Sequence, residues 1–437
     1  MQSTLETLGP LARRLHVAVP LQQIEGEVGK RLARLAKTVK VPGFRPGHVP
    51  LRMVAQQYGP QVRSDVISDA VQTSFNEAVR EQNLRVAGYP RIEPATGATP
   101  AEGALEFSAV FEIYPEVTVG DIAASTVERP QVEVTDADID RTLDVLRRQR
   151  AIFHPTGEAA QSGDRAKVDF TGTIDGLEFP GGQAKDFTIT LGEGRMLPEF
   201  EAALAGMKAG ENKSFALTFP ADYHGKEVAG RQAQFSLAVK DVERPSVPPL
   251  DSAFATAFGI KSGKVEDLRA EVASNLRLEL KRKVEATLRE QAMKALREKT
   301  QLTLPKSLVE MEAAQLMRRM AANLQQQGMK PEDIKLNPEL FTPQAEERVA
   351  LGLIVSELVQ SENLTPKAEQ VKAMVQEIAQ TYEQPEAVVR WHYEKPERLN
   401  DFEAQAVEHN VVEWVLARAS VVDKPTAFAD VMGPAPQ

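Results

Sequence analysis

The stretch Gly192-Glu193-Gly194-Arg195-Met196-Leu197-Pro198-Glu199-Phe200-Glu201 decides how the middle of the chain folds. Proline suits the first turn of a helix, where its missing N–H costs nothing. With Pro198 as the start and Gly206 as the stop, the spacing predicts one short helix, Pro198 to Ala205. Around it, apolar residues alternate with period two. Four runs do so: Val168, Phe170, Ile174; Phe187, Ile189, Leu191; Phe215, Leu217, Phe219; Phe235, Leu237, Val239. Such runs predict an antiparallel sheet with one buried face. A sheet curled around one helix leaves a hollow lined by aromatic rings.

Toward the N-terminus, residues 114–150 read as a connector. Pro115 and Pro130 punctuate an extended acidic segment, and Thr135 caps a short helix. Asp136 and Asp138 in its first turn, and Arg147, Arg148 and Arg150 in its last, suit the helix dipole. Residues 1–112 read as a mixed α/β unit. Arg14 to Val19 and Leu105 to Ile113 alternate like strands. Leu21, Ile24, Val28, Leu32, Leu35 and Val39 form one helical face, with Lys30, Arg34 and Lys37 on another. A second helical pattern from Val54 to Val79 is expected to break near Gly59-Pro60.

Between those helices lies Gly43-Phe44-Arg45-Pro46-Gly47-His48-Val49-Pro50. Glycines and prolines fix a tight loop. An apolar ring beside a permanent cation at its tip anchors well on another macromolecule. On spacing alone, an ordinary helix-helix turn is the favoured reading. Arg13 to Arg52 holds nine basic and two acidic residues, a local +7 in a chain of net charge −10. A solvated helix face or contact with a polyanion would each account for it.

Toward the C-terminus, residues 245–437 read as helical throughout. Leu268, Val272, Leu276, Leu280, Val284 and Leu288 form a stripe along a helix from about Val265 to Lys299. Pro305, Pro338 or Pro343, Pro366, Pro385 and Pro396 mark later helix starts. Leu308, Met311, Leu316, Met317, Met320 and Leu324 give a methionine-rich face. Such faces normally pack against other helices, but unbranched methionine also adapts to varied surfaces.

A chain of 437 residues exceeds one hydrophobic core, and 42% hydrophobic with 26% charged residues places it among globular proteins. With no cysteine, disulfides and cysteine-metal sites are excluded. The six histidines, at 16, 48, 154, 224, 392 and 409, follow no metal-ligand spacing, and no Gly-x-x-x-x-Gly-Lys-Ser/Thr loop is present. Neither a metal, a cofactor nor ATP is therefore expected. No apolar run approaches the ~18 residues of a membrane span. Met1 to Pro10 contains Glu6 and no apolar core, so the expected location is the cytoplasm, without membrane contact.

The loop at 43–50 resembles the ribosome-docking signature Gly-Phe-Arg-x-Gly-Lys-x-Pro of bacterial trigger factors, with His48 in place of the usual lysine. The middle of the chain resembles the FK506-binding type of prolyl isomerase in its trigger factor version. That likeness rests on Asp169-Phe170-Thr171-Gly172, Gly181-Gly182 and the stretch from Gly192 to Glu201. The resemblance extends over almost the whole chain. It implies an α+β multidomain protein. An N-terminal α/β docking domain (1–112) and a connector (113–150) precede an antiparallel sheet wrapped on a short helix (151–244). An all-α chaperone domain with long helical arms (245–437) follows.

By position, the family's isomerase pocket falls on Phe170, Phe179, Phe187, Met196, Leu197, Phe200, Tyr223 and Phe235, with the Leu197 N–H holding the substrate carbonyl. Phe215 and Phe219 read as core. Pro180 stands where many members of the wider family carry aspartate, and Phe200 where they often carry tryptophan. Docking falls on Gly43, Phe44, Arg45, Pro46, Gly47 and His48. The implied function is an ATP-independent, ribosome-associated chaperone for nascent and unfolded polypeptides that isomerises X-Pro bonds. The implied partner is the large ribosomal subunit near its exit tunnel. Contact with ribosomal RNA and a homodimer off the ribosome are left open. The alternative is a stand-alone prolyl isomerase whose flanking domains recruit substrate.

Overall fold

The computed structural model describes residues 2–433 apart from 41–43, 45–47, 95–102, 224, 381 and 383. Two strands open the chain, β1 (Gln2–Thr7) and β2 (Ala12–Pro20), followed by helices α1 (Leu21–Thr38) and α2 (Leu51–Glu81), then β3 (Val86–Pro94) and β4 (Ala104–Ile113). The strands form an antiparallel sheet in the order β1-β2-β4-β3. Its buried face meets Ile24, Val28 and Leu32 of α1 and Val54, Val66, Phe75 and Ala78 of α2. The break expected at Gly59-Pro60 is absent: α2 runs straight through Pro60. An interior proline costs ~3 kcal/mol or more. Buried residues lie on both sides of it, so packing holds the helix together across the missing bond.

The middle of the chain holds β5 (Thr126–Gln131), α3 (Asp136–Gln149), β6 (Ile152–Pro155), β7 (Arg165–Ile174), β8 (Leu177–Thr190), α4 (Pro198–Leu204), β9 (Asn212–Thr218), β10 (Gln232–Ser246) and α5 (Ser252–Ala257). Thr135 caps α3 through a capping box: the Asp138 N–H donates to Thr135 Oγ1, and the Thr135 N–H donates to Asp138 Oδ2 at 3.0 Å. The sheet runs β6-β10-β7-β8, with β9 on β10, all antiparallel. It therefore has one strand more than the alternating runs indicate. The extra strand, β6, is a four-residue edge with Ile152 exposed, so it carries no alternation to read. Helix α4 stops at Gly206, which holds φ +83° as a left-handed stop. Phe200, Ala203 and Leu204 of α4 are buried.

The rest comprises α6 (Val265–Lys299), α7 (Lys306–Gln326), α8 (Thr342–Ser361), α9 (Ala368–Ala379), α10 (Pro385–Tyr393), α11 (Asn400–Leu416), β11 (Ser420–Pro425) and α12 (Phe428–Met432), with single 3-10 turns at Pro331–Asp333, Pro338–Phe341 and Pro396–Leu399. Five residues of the stripe on α6 are buried: Leu268, Val272, Leu276, Leu280 and Leu288. Strand β11 corrects the expectation of an all-helical C-terminal region. It pairs with β5, and Arg129–Asp423 (2.6 Å) and Lys424–Glu128 (2.8 Å) cross the ribbon. A lone six-residue segment finds its partner far away in sequence, so no neighbouring run reveals it.

The chain divides into two compact units. One comprises Met1–Val127 with Leu288–Val421, the other Glu128–Thr287 with Val422–Gln437. The first holds the N-terminal sheet and a helical core around Ile122, Ala292, Leu296, Ile354, Leu358 and Val411. The second has two separate cores. One lies inside the β6–β10 sheet, and the other joins α3, α5 and the start of α6 through Ile139, Leu143, Phe254, Leu268 and Val272.

Candidate functional site

The aromatic residues singled out in the sequence gather at one end of the β6–β10 sheet, graded in exposure. Phe170, Phe200 and Phe235 are buried and form the floor. Phe179, Met196, Leu197 and Tyr223 pack against that floor half-buried. Phe187 is 41% exposed, its ring 5.8 Å from Phe170 and nearly perpendicular to it. Phe200 is the most enclosed, at 2%, with rings of Phe170, Phe215 and Phe235 at 5.3, 5.5 and 5.7 Å. Phe219 is buried and Phe215 half-buried, stacked on Phe235 at 5.9 Å.

Two glycines make this crowding feasible. A Cβ at Gly172 would lie 2.6 Å from the Phe235 ring and 3.1 Å from Phe179, and one at Gly182 would lie 2.8 Å from Phe179. The Gly172 and Gly182 of the sequence motifs are thus flat seats for aromatic rings.

Leu197 caps α4, and its carbonyl accepts the Phe200 and Glu201 N–H groups at 2.9 and 3.2 Å. Among the described residues, no acceptor takes the N–H of Leu197 itself. The loop before it is tied to the helix by Glu201, whose Oε2 accepts the Gly192 N–H at 3.1 Å.

This arrangement suits rotation about a prolyl amide. That barrier, ~18–20 kcal/mol, comes from amide conjugation. Moving the amide from water into an aromatic surface disfavours the planar, polar form more than the twisted one, so the transition state gains relative to the substrate. No nucleophile or base is required.

Sequence reading overlooked a group of charges beside the rings. Asp169 Oδ1 accepts the Asp186 N–H at 2.7 Å, and Lys240 Nζ lies 2.9 Å from Asp169 and 3.0 Å from Asp186. The Lys240 hydrogen bond, then the Asp186 N–H, hold the Asp169 carboxyl below the usual aspartate range. Lys240 and then Lys167 do the same for Asp186. Only the Asp169-Phe170 pair in the motif hinted at this cluster.

Of the loop at 43–50, Phe44 is exposed at 39%, His48 is exposed, and Val49 is buried in the N-terminal core. Gly43, Arg45, Pro46 and Gly47 lie outside the described residues. Leu51 and Met53, just beyond, are also exposed and were not singled out in the sequence. On α1, Lys30, Arg34 and Lys37 are exposed and Arg31 pairs with Asp69, while Arg63 of α2 pairs with Glu25, each at 2.6 Å.

In the first unit, a cavity of about 670 Å³ is lined by Tyr89, Tyr114, Leu308, Met311, Val349 and Leu353 among others. Met311 and Met320 of the methionine-rich face are exposed, whereas Leu316 is buried. No helix among the described residues is long and apolar enough to cross a membrane.

Comparison with known proteins gives three family matches. Residues 1–146 match the bacterial trigger factor protein, 156–243 the FKBP-type peptidyl-prolyl cis-trans isomerase, and 264–417 the trigger factor C-terminus. The trigger factor of Nitrosospira multiformis is 50% identical over 434 residues, covering 99% of this chain and 100% of its own. That of Aromatoleum aromaticum is 49% identical over 433 residues, covering 99% of each. A solved trigger factor chaperone covers 95% of this chain and 99% of its own at 16% identity and a TM-score of 0.47, a likeness too low to add weight. With half of its residues shared over full length with such relatives, the chain belongs to the bacterial trigger factor family, chaperones that carry an FKBP-type prolyl isomerase domain.

Proposed function

We propose that this chaperone docks on the large ribosomal subunit near the exit tunnel through residues 43–48, in the cytoplasm. It holds nascent and unfolded chains without ATP, and isomerises their X-Pro bonds at the aromatic cluster. Residues 1–112 carry docking, 151–244 isomerisation and 245–437 most of the holding, with 113–150 as connector. Phe170, Phe200 and Phe235 make the floor of the isomerase site, and Phe179, Phe187, Met196, Leu197 and Tyr223 its walls. The single observation that carries this reading is the gradient from buried floor to the exposed ring of Phe187, beside the Leu197 N–H, which has no described acceptor. That N–H is the group to receive the substrate carbonyl.

For docking, the support is the exposed ring of Phe44 on a loop anchored by buried Val49. The exposed methionines and the cavity beside Met311 supply adaptable apolar surface for unfolded chains. His48 supplies no permanent cation where the family carries lysine, so docking through this loop is weaker than in relatives. The deciding experiment is pelleting of the purified protein with ribosomes, with and without nascent chains. Association that strengthens with nascent chains supports the reading; no association leaves the stand-alone isomerase.

A further inference from the structure

The central strand β7 is flanked by bulges on both sides at the same level. On β8, Val168 faces Phe187 while Phe170 faces Ala184, so Lys185 and Asp186 together stand opposite Asp169. On β10, Val239 faces Val168 and Asp241 faces Lys167, so Lys240 is the extra residue. The β8 bulge swaps the parity of its strand. Before it, Gly182 and Ala184 face the core; after it, Phe187 and Ile189 do. In an unbroken strand Phe187 would stand on the face opposite Phe170.

The bulges are joined by the charges on the outer face. Asp186 holds φ +54°, a region unfavourable to residues with a Cβ, and its N–H donates to Asp169 Oδ1 at 2.7 Å. Lys240 reaches both carboxylates, and Lys167 Nζ lies 3.2 Å from Asp186 Oδ1. The ion pairs are solvent-exposed and individually weak. The hydrogen bond to the Asp186 N–H is what fixes backbone geometry.

We propose that Asp169 is a positioning residue for the isomerase: it holds the β8 bulge through the Asp186 N–H and so aims Phe187 at the substrate, with Lys240 locking the two bulges together. The inference rests on the reading of Phe187 as a wall of the site.

The test uses the full-length chain, with kcat and KM on an X-Pro peptide and nuclear Overhauser contacts between the Phe170 and Phe187 rings. Asp169→Ala is expected to lower kcat/KM about tenfold, within the ~100-fold that a 1 Å misplacement can cost, and to erase the ring contacts. Asp169→Asn keeps an oxygen acceptor and retains most of the activity. Adding Asp186→Gly to Asp169→Ala restores it, because glycine holds positive φ without steric cost. Asp175→Ala is the control for mere destabilisation. Asp175 sits at φ +53° between β7 and β8, bound to Arg231 at 2.6 Å, and its loss lowers Tm while leaving kcat/KM unchanged.

Where Asp169→Ala does not fold, Lys240→Met reads the same device. It is expected to cost about threefold in kcat/KM with weakened ring contacts. Wild-type kcat/KM in Asp169→Ala, or in its stand-in, overturns the proposal; so does lost activity with the ring contacts intact, or a glycine that restores nothing. If Phe187→Ala itself leaves kcat/KM unchanged, the underlying reading of the site has failed instead.

Discussion

Phe187 and Phe200 sit in one aromatic cluster, yet their removal should read out differently. Covering the exposed 41% of the Phe187 ring is what a substrate can gain there. An aromatic side chain offers roughly 150–250 Å², so that share is about 60–100 Å². At ~25 cal/mol per Å² it is worth about 1.5–2.5 kcal/mol, a tenfold to eightyfold loss in kcat/KM for Phe187→Ala. By the same measure the buried remainder of the ring, about 90–150 Å², stabilises the fold by about 2–4 kcal/mol. Phe200 is 2% exposed and meets three rings within 5.7 Å, so Phe200→Ala leaves a cavity costing about 3–5 kcal/mol. Both tryptophans, Trp391 and Trp414, lie far along the chain from this domain, so amide hydrogen exchange in β7 and β10 is the suitable stability probe. Phe187→Ala should lose isomerisation with the smaller loss of exchange protection, while Phe200→Ala should lose more protection, across the whole sheet. Suppression of aggregation should survive in Phe187→Ala. A Phe187→Ala protein with kcat/KM within about twofold of wild type would refute the reasoning.

Phe44→Ala with Arg45→Ala should abolish cosedimentation with ribosomes while isomerase activity persists; undiminished pelleting would count against the docking loop. Deleting residues 151–244 should leave a folded, ribosome-binding chaperone, because Ile152 and Ser246 are paired partners and the α3–α5–α6 core is separate; an insoluble product would contradict this. Asp169 and Asp186 have depressed folded pKa values, so their contribution is present above the ordinary aspartate value of about 4 and is lost as pH falls through the folded values. Urea midpoints of Lys240→Met should therefore fall less steeply than wild type below about pH 4, and identical slopes would show that the cluster is not the cause.

Long periodic stripes were the legible part of the sequence. The stripe from Leu268 to Leu288 delivered a helix from Val265 to Lys299, because repeated burial on one face leaves a repeated mark. The alternating runs from Val168 to Val239 gave four of the five strands for the same reason. Pro60 misled because a local penalty was weighed without the core holding both halves of α2. Strands β1, β3, β6 and β11 were missed because all four lie at the margin of a sheet, and β6 and β11 bury almost nothing. At the candidate site, residue types named the rings but not their depth: Phe200 and Phe187 look alike in sequence. Bulges at Asp186 and Lys240 are properties of register between strands, and no single segment records them.

The β5–β11 ribbon has a consequence for how this protein is made. Arg129 must wait for Asp423, 294 residues later in translation, and Ile122 for its neighbours Val411 and Val412. At about 5–20 residues per second that interval is roughly 15–60 s. Throughout it, Ile122 and strand β5 stand without the partners that cover them. Synthesis of this helper therefore passes through the same vulnerable stage that it relieves in others, and copies already finished are the natural attendants of those still emerging.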